Sequence, residues 1–417
     1  MTKPLASAGN SLIDKVLVAD PGMTRLAGHH LSWNRTLQNL FDARGVERRF
    51  FFYKDATLES LACFKNATAH FQYNFYRKVS EAPTLDSFES LLTHALYMQR
   101  DLVPLTPLVD RNTLVLGHSL DASSILGVGL WHATLAPEKR PHFALNVHFC
   151  IAPPTELTRK SYRLAMQCFV GNPRVRFFGV VDPVVDFLGE ATGQKATLLP
   201  MPLDFPHAGN RVRNVHDIVY GFVGEDRQER NVAILPEALE NYLEKGGKGR
   251  FLLQLAPVDP RSTPTLDRLR ALAHRHPEQI TLLLQGVYGE EYYDLLRRMS
   301  AMLLPFSSDI YHYFRPSQVL QEAIFMDIPA VVCGGGFMEY ETRKWDNGSL
   351  VMQNAQELAK ALFSFESTAQ QRFEKAAAAG ARYRAANNTE AFWEKLMACG
   401  RGRPGQGAAE ICTFQGL

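Results

Sequence analysis

The sequence predicts an α/β protein with two doubly wound, Rossmann-like domains that face each other across a cleft. Its 417 residues are too many for one ordinary core and fit two domains of about 200 residues each. From Lys15 onward, short apolar runs alternate with longer amphipathic stretches, a pattern typical of a parallel sheet with crossover helices. Ligands bind such sheets beyond the carboxyl ends of the strands, so we expect the site to lie between the domains.

Six apolar runs predict the strands of the first domain. They are short and rich in aliphatic and aromatic residues, which favours strands buried inside a sheet. The predicted strands are 15–20, 47–53, 113–118, 143–149, 175–180 and 196–202. Amphipathic stretches between them predict crossover helices, among them 32–44 and 155–170.

Six further runs repeat this rhythm in the second half of the chain. They are 217–224, 250–256, 279–286, 301–305, 330–334 and 349–352. Between the halves, 201–216 has two prolines, a glycine and little periodicity, as expected of a linker. Apolar residues at helical spacing over 366–399 predict one or two closing helices. The predicted divisions are therefore 1–203 for the first domain, 204–385 for the second, and 386–417 for a closing helix and a loose tail.

Composition argues against several classes of protein. Lys+Arg 45 against Asp+Glu 43 gives a net charge of +2, so no basic field predicts a nucleic-acid partner. The six cysteines are scattered and read as reduced thiols, and we find neither a signal peptide nor a run of 18 apolar residues. We therefore expect a cytoplasmic protein. The aromatic segment 64–80, with Arg77 and Lys78, leaves open a peripheral contact with the inner face of a membrane, although core packing of its rings is favoured.

The segment "YHYFRPSQVLQEAIFMDIPAVVCGGG" (311–336) carries the clearest signal of a binding site. Pro316 disfavours helical backbone at Arg315, and Ser317 is a good N-cap, so a helix should begin there. The free N–H groups of that helix end, with Arg315 and Ser317 beside them, suit a phosphate. Glu322, predicted to face away from the core, is placed to accept hydrogen bonds from a ribose diol. On these residues alone, a plain cap and a solvated glutamate are an equally good interpretation.

This segment resembles the nucleotide-binding half of retaining GT-B glycosyltransferases, a large family that includes many bacterial mannosyl- and glucosyltransferases. The similarity continues in "DNGSLV" (346–351) and "QELAKAL" (356–362). Upstream, 220–243 looks like the family's first second-domain strand and phosphate loop, and 279–307 looks like its base-binding strand and the helix after it. The resemblance spans residues 198–365 and is nearest to a subset of capsule and O-antigen enzymes.

The resemblance implies a GT-B enzyme that transfers a sugar from a nucleoside-diphosphate sugar to an acceptor hydroxyl with retention of configuration. The acceptor would be a carbohydrate, a glycolipid or a protein, in polysaccharide, lipopolysaccharide or glycolipid synthesis. No cofactor is implied besides the nucleotide-sugar co-substrate. Because the sequence has no D-x-D motif suited to a divalent metal, we expect metal-independent transfer.

Roles carry over to individual positions of this sequence. Arg227 and Arg230 would grip the pyrophosphate and stabilise charge on the leaving group, which makes them catalytic candidates. Glu322 matches the family's ribose-binding glutamate. Another glutamate commonly lies eight positions earlier, but Phe314 stands there, which leaves the donor sugar undetermined. The donor-binding residues implied are Gly28, Gly224, Gly286, Arg315, Ser317, Gln318, Val319 and Glu322.

Two histidines of the first half are further catalytic candidates. His118 and His148 end predicted strands and should face the cleft, and His148 fits somewhat better the position where the family often has a histidine. For each taken singly, a structural histidine is the favoured interpretation. The adjacent pair His29 and His30 is not expected to hold a metal, because neighbouring side chains seldom converge without further ligands.

Two alternatives keep the fold but change the activity. One is a sugar-nucleotide epimerase or a phosphorylase, although a phosphorylase needs a cofactor-bearing lysine that we cannot identify in the second domain. The other is a non-catalytic GT-B-like scaffold or sugar-nucleotide sensor, which Phe314 at a normally acidic position favours. A dinucleotide-binding dehydrogenase is disfavoured, because no G-x-G-x-x-G follows the first strand.

Overall fold

Two parallel sheets with interleaved helices confirm the predicted fold class. The structure is a computed structural model that describes residues 13–26, 28–74, 88–148, 153–201, 203 and 213–398. One sheet has seven strands and the other six, and all the strands predicted from the sequence are present. Within the described part of the chain, no helix is both long enough and apolar enough to cross a membrane.

The first sheet has the order β3-β2-β1-β4-β5-β6-β7. Its strands are β1 (Lys15–Asp20), β2 (Glu47–Tyr53), β3 (Ala67–Phe71), β4 (Thr113–Gly117), β5 (His142–Val147), β6 (Val175–Gly179) and β7 (Ala196–Leu198). The sequence did not predict β3, because this edge strand, ATAHF, has no apolar run. The order of strands reverses between β1 and β4, which places a ligand crevice beyond the ends of these two strands.

Helices cover both faces of this sheet. They are α1 (Gly28–Arg44), α2 (Leu58–Ala62), α3 (Phe88–Leu102), α4 (Ala122–Thr134), α5 (Glu156–Gln167) and α6 (Asp182–Thr192). The helix predicted at 32–44 begins one turn earlier, at Gly28. Trp33, Leu37 and Phe41 of α1 are fully buried against the sheet, so the opposite side of α1 is the one turned outward.

The second sheet has the order β10-β9-β8-β11-β12-β13, with its reversal between β8 and β11. Its strands are β8 (Val219–Glu225), β9 (Arg250–Ala256), β10 (Ile280–Leu283), β11 (Ala301–Leu304), β12 (Ala330–Cys333) and β13 (Leu350–Met352). Its helices are α7 (Leu235–Glu244), α8 (Thr263–Arg275), α9 (Glu290–Arg298), α10 (Gln318–Phe325), α11 (Phe337–Trp345) and α12 (Ala355–Ser367).

Two closing helices end the described chain, as predicted. They are α13 (Ala369–Ala386) and α14 (Thr389–Met397). Helix α13 packs on α10 of the second domain, whereas α14 returns to the first domain. There Phe392 packs edge-on against Trp33, and Arg44 bonds to Glu390. The C-terminal end of the described chain therefore fastens the two halves together.

Direct contacts between the domains flank the cleft. Asp182 at the start of α6 bonds to Lys344 of α11, and Arg25 lies 3.3 Å from Glu225. In the predicted linker, residues 202 and 204–212 lie outside the described residues, as do Arg77 and Lys78 of the aromatic segment.

Candidate functional site

A cleft of about 960 Å³ separates the two domains. Its walls come from residues at or just beyond the carboxyl ends of strands in both sheets, including β1, β5, β8, β9, β10 and β11. This is the place that the alternation of strands and helices predicted for a ligand. Most of the predicted site residues line the cleft. They are His148, Gly224, Arg227, Arg230, Gly286, Arg315, Ser317, Gln318, Val319 and Glu322.

Gly224, at the end of β8, makes room for the guanidinium of Arg230. Arg230 donates a hydrogen bond to the Val223 carbonyl at 3.0 Å and lies over the Phe306 ring, 5.3 Å from its centroid. Gly224 has φ +135°, and a Cβ there would lie 1.5 Å from Nη1 of Arg230. Of the carboxylates in the described chain, none lies within ion-pair distance (4.0 Å) of Arg230. Its charge is therefore available to an anionic ligand.

Arg227 and Arg315 are less available than the sequence suggested. The Arg227 side chain is 47% exposed and pairs with Glu225 and Glu229. Arg315 also approaches Glu229, at 3.8 Å. Two glutamates therefore offset the charges of Arg227 and Arg315. The two arginines predicted to bind the pyrophosphate, Arg227 and Arg230, are thus not equally available. Arg230 is the stronger anion-binding group.

Ser317 begins α10, as predicted. Its backbone is extended (φ −109°, ψ 111°), and its hydroxyl accepts a hydrogen bond from the Leu320 N–H at 3.4 Å. Arg315, Ser317, Gln318 and Val319 all line the cleft, so the helix end and a cation adjoin the same space. Free N–H groups and the helix dipole at this end favour a negatively charged ligand.

Glu322 is buried, so the interpretation as a solvated glutamate was wrong, but it faces the cleft and not the apolar core, as predicted. Its side chain is only 4% exposed and lies against Tyr292 of α9. Its carboxylate lines the cleft and accepts hydrogen bonds from the Tyr292 hydroxyl and, at 2.6 Å, from the Gln318 amide. Burial raises the pKa of Glu322 to about 7, although these bonds and Arg230 oppose the rise.

An aromatic wall beside Glu322 was not predicted from the sequence. Tyr288 and Tyr292 line the cleft beyond β10, next to Gly286. A Cβ at Gly286 would lie 2.7 Å from the Tyr288 hydroxyl, so a glycine lets that ring lie close to the backbone. The signal was the run "QGVYGEEYY" (285–293), in which glycines and tyrosines follow a strand. Tyrosine faces of this kind suit a planar base.

Of the two histidines predicted for the reacting centre, only one lines the cleft. His148 follows β5 and lines the cleft, and burial lowers its pKa to about 3, so its imidazole is neutral. His118 is fully buried beneath that surface, where its ring stacks on Trp33 at 4.3 Å. The His118 and His148 rings meet edge-on at 5.5 Å. Gly28 is the first residue of α1, and His30, in the first turn of that helix, lines the cleft.

Asp20, His30 and His118 form a buried cluster whose donor atoms lie within 4.8 Å of one another, so they could admit a metal ion. His30 thus converges with other possible ligands, contrary to expectation, while the side chain of His29 lies outside the described residues. Asp20 accepts hydrogen bonds from Nδ1 of His30 at 2.9 Å, from the Asn34 amide at 2.7 Å and from a backbone N–H at 3.1 Å. Protein donors therefore already satisfy this carboxylate.

Phe314, at the position that is commonly acidic in the resembling family, contacts the first domain. Its ring lies 5.8 Å from that of Phe187 in α6. It is not among the described residues that line the cleft. The position therefore contributes an apolar contact between the domains.

Several solved structures are similar to this chain over nearly its whole length. Anabaena HepE in complex with UDP matches with a TM-score of 0.61 at 12% identity, over 92% of this chain and 98% of its own. The chain has the GT-B fold. Sucrose-phosphate synthase from Thermosynechococcus elongatus matches with a TM-score of 0.58 at 13% identity, over 93% and 98% of the two chains. An α,α-trehalose-phosphate synthase (UDP-forming) from Burkholderia xenovorans, in complex with glucose-6-phosphate, matches with a TM-score of 0.59 at 12% identity, over 93% and 100%. No family model and no curated protein matches the sequence.

Proposed function

We propose that this chain is a glycosyltransferase that moves a sugar from a nucleoside-diphosphate sugar to an acceptor hydroxyl. The observation that carries the proposal is the convergence of Arg230, the N-terminal end of α10 and Glu322 on one cleft. A cation and free N–H groups suit the two phosphates, and the carboxylate suits the ribose hydroxyls. The structural similarity to HepE in complex with UDP, and to two synthases, supports a donor of this class.

We further propose that transfer proceeds with retention of configuration and needs neither a cofactor nor a metal. The bond between the anomeric carbon and the diphosphate oxygen breaks, and the acceptor oxygen bonds to that carbon on the same face. The acceptor's proton passes to the departing phosphate, so the nucleoside diphosphate leaves with it. Arg230 and the N–H groups at Ser317 stabilise the negative charge that grows on the leaving group.

His148 is the candidate contact to the transferred sugar. It faces the cleft from the first domain, opposite the groups that we assign to the diphosphate. Because its imidazole is neutral, it can donate or accept a hydrogen bond without carrying charge. His118, packed edge-on behind it, is a positioning residue in this proposal.

Incubation with a panel of nucleoside-diphosphate sugars and acceptors tests the proposal. We expect release of nucleoside diphosphate coupled to glycoside formation, with the donor's anomeric configuration kept in the product by NMR. A glycoside of inverted configuration would refute retention alone. Tight donor binding without turnover on any acceptor would favour the non-catalytic sensor, the alternative that Phe314 suggests.

A further inference from the structure

The first domain's wall of the cleft is cationic, whereas the opposite wall is balanced. The described residues of the first domain that line the cleft include Arg25 and Arg35 and no Asp or Glu. The second domain's wall includes three arginines and three glutamates, so its charges balance. The asymmetry lies where an acceptor must bind, across the cleft from the groups assigned to the donor.

A polar stripe on α1 carries much of this charge. Ser32, Arg35, Thr36 and Asn39 line the cleft at intervals of three and four residues, so they share one face of the helix. The stripe covers about 10 Å along the axis, since an α-helix rises about 1.5 Å per residue. This length suits one phosphorylated monosaccharide.

Arg35 is the cation of this wall that is open to a ligand. Its side chain is exposed, and none of the described carboxylates lies within ion-pair distance of it. Arg25 instead lies 3.3 Å from Glu225 of the second domain. A ligand anion at Arg35 therefore displaces no ion pair of the described chain.

The chemistry of this wall suits a ligand with acceptor-only oxygens. A neutral sugar both donates and accepts hydrogen bonds through its hydroxyls, and carboxylates are efficient acceptors for them. The first domain's wall offers no carboxylate among its described residues but does offer guanidinium and amide donors. Guanidinium groups bind phosphate with strong, bidentate, charge-assisted hydrogen bonds. A cation here also offsets repulsion between an anionic acceptor and the donor's diphosphate.

We propose that the acceptor is a phosphorylated sugar, whose phosphate binds Arg35 with help from Asn39. This inference rests on the proposed transferase function and names its acceptor class. The phosphate marks which sugars enter the first domain's side of the cleft, and a free hydroxyl of the same sugar receives the transferred group.

Calorimetry on the protein saturated with its nucleoside diphosphate, and transfer assays with the corresponding nucleoside-diphosphate sugar as donor, test the inference. The probes are the 6-phosphates of glucose, mannose, galactose and fructose, the corresponding neutral hexoses, and glucuronate and galacturonate as carboxylate controls. The variants are Arg35→Gln, Arg35→Lys and, as a matched control, Arg100→Gln, which changes an exposed arginine of α3 outside the cleft. Unchanged melting temperatures establish that the variants fold.

We expect at least one hexose phosphate to bind at least tenfold more tightly than its neutral hexose and to accept the sugar. Arg35→Gln should weaken that binding about tenfold or more, as expected for loss of a charge-assisted bond, while leaving nucleotide binding and neutral-hexose binding unchanged. Arg35→Lys should keep part of the preference, and Arg100→Gln all of it.

Transfer to neutral hexoses without preference for the phosphates would overturn the inference and leave the transferase function standing. Preference for the hexuronates over the phosphates would overturn it as well. Equal loss of nucleotide binding in Arg35→Gln would assign Arg35 to the donor and refute the acceptor role. Failure to turn over any donor would instead count against the proposed function itself.

Discussion

Glu322→Gln should stabilise the fold and abolish donor binding. The buried carboxylate has a pKa of about 7, against 4.5 for the free group, because desolvation penalises its charge. Between these two values the unfolded chain has lost this proton and the folded chain still holds it, so stability falls as pH rises through that window. Each pKa unit corresponds to about 1.4 kcal/mol, so the ionised group costs about 3 kcal/mol at pH 8. Glutamine removes the charge and therefore this cost.

The assay is a comparison of melting temperatures at pH 5 and pH 8. For a domain of about 200 residues that unfolds cooperatively, about 3 kcal/mol corresponds to roughly 6–12 °C in melting temperature. The variant should therefore melt higher than wild type by that order at pH 8 and at nearly the same temperature at pH 5. A nucleoside diphosphate that raises the melting temperature of wild type should give no shift in the variant, because the ribose hydroxyls lose their charged acceptor.

Glu341→Gln is the matched control. Glu341 of α11 is also buried, with a pKa of about 7, but it bonds to the Trp345 indole and is not a cleft residue. Its glutamine variant should gain stability at pH 8 and keep the nucleotide shift. If Glu322→Gln melts lower than wild type at pH 8, the carboxylate is not desolvated and the electrostatic reasoning fails. If it keeps the nucleotide shift, the ribose assignment fails.

Three further outcomes follow from the site. Gly224→Ala should cut the transfer rate at least tenfold, because its Cβ would displace the Arg230 guanidinium. The control Gly189→Ala, whose Cβ would meet open space, should keep the wild-type rate. Equal rates in the two variants would remove Arg230 from the mechanism. With subsaturating donor, the rate should rise with pH across about 7 as Glu322 ionises, and His148, neutral above its pKa of about 3, should add no step between pH 5 and 9. Prolonged dialysis against EDTA should leave the rate unchanged, and loss restored by a divalent metal would contradict metal-independent transfer.

The sequence predicted the architecture well because the signal is local and repeated. Each buried strand of a parallel sheet is a short apolar run, and crossover helices separate the runs. The N-cap at Ser317 was also readable, since Pro316 restricts the residue before it. Edge strand β3 was missed, because an exposed edge needs no apolar run.

The charge balance of the site was not readable from the sequence. That Arg227 pairs with Glu225 and Glu229 while Arg230 stacks on Phe306 depends on the path of the loop after β8. The burial of Glu322 depends on its contact with Tyr292 of α9, which lies 30 residues earlier in the chain. Helical periodicity within one segment cannot reveal a cover that a distant segment supplies.

We expect the second domain to hold a nucleoside diphosphate through Arg230 and Glu322. The most direct measurement is the shift in melting temperature with each common nucleoside diphosphate, for wild type, Arg230→Ala and Glu322→Ala. We predict that at least one nucleotide stabilises wild type, by about 2.7 kcal/mol at a hundredfold excess over its Kd, and stabilises neither variant. No shift with any nucleotide, or an undiminished shift in both variants, would contradict the claim.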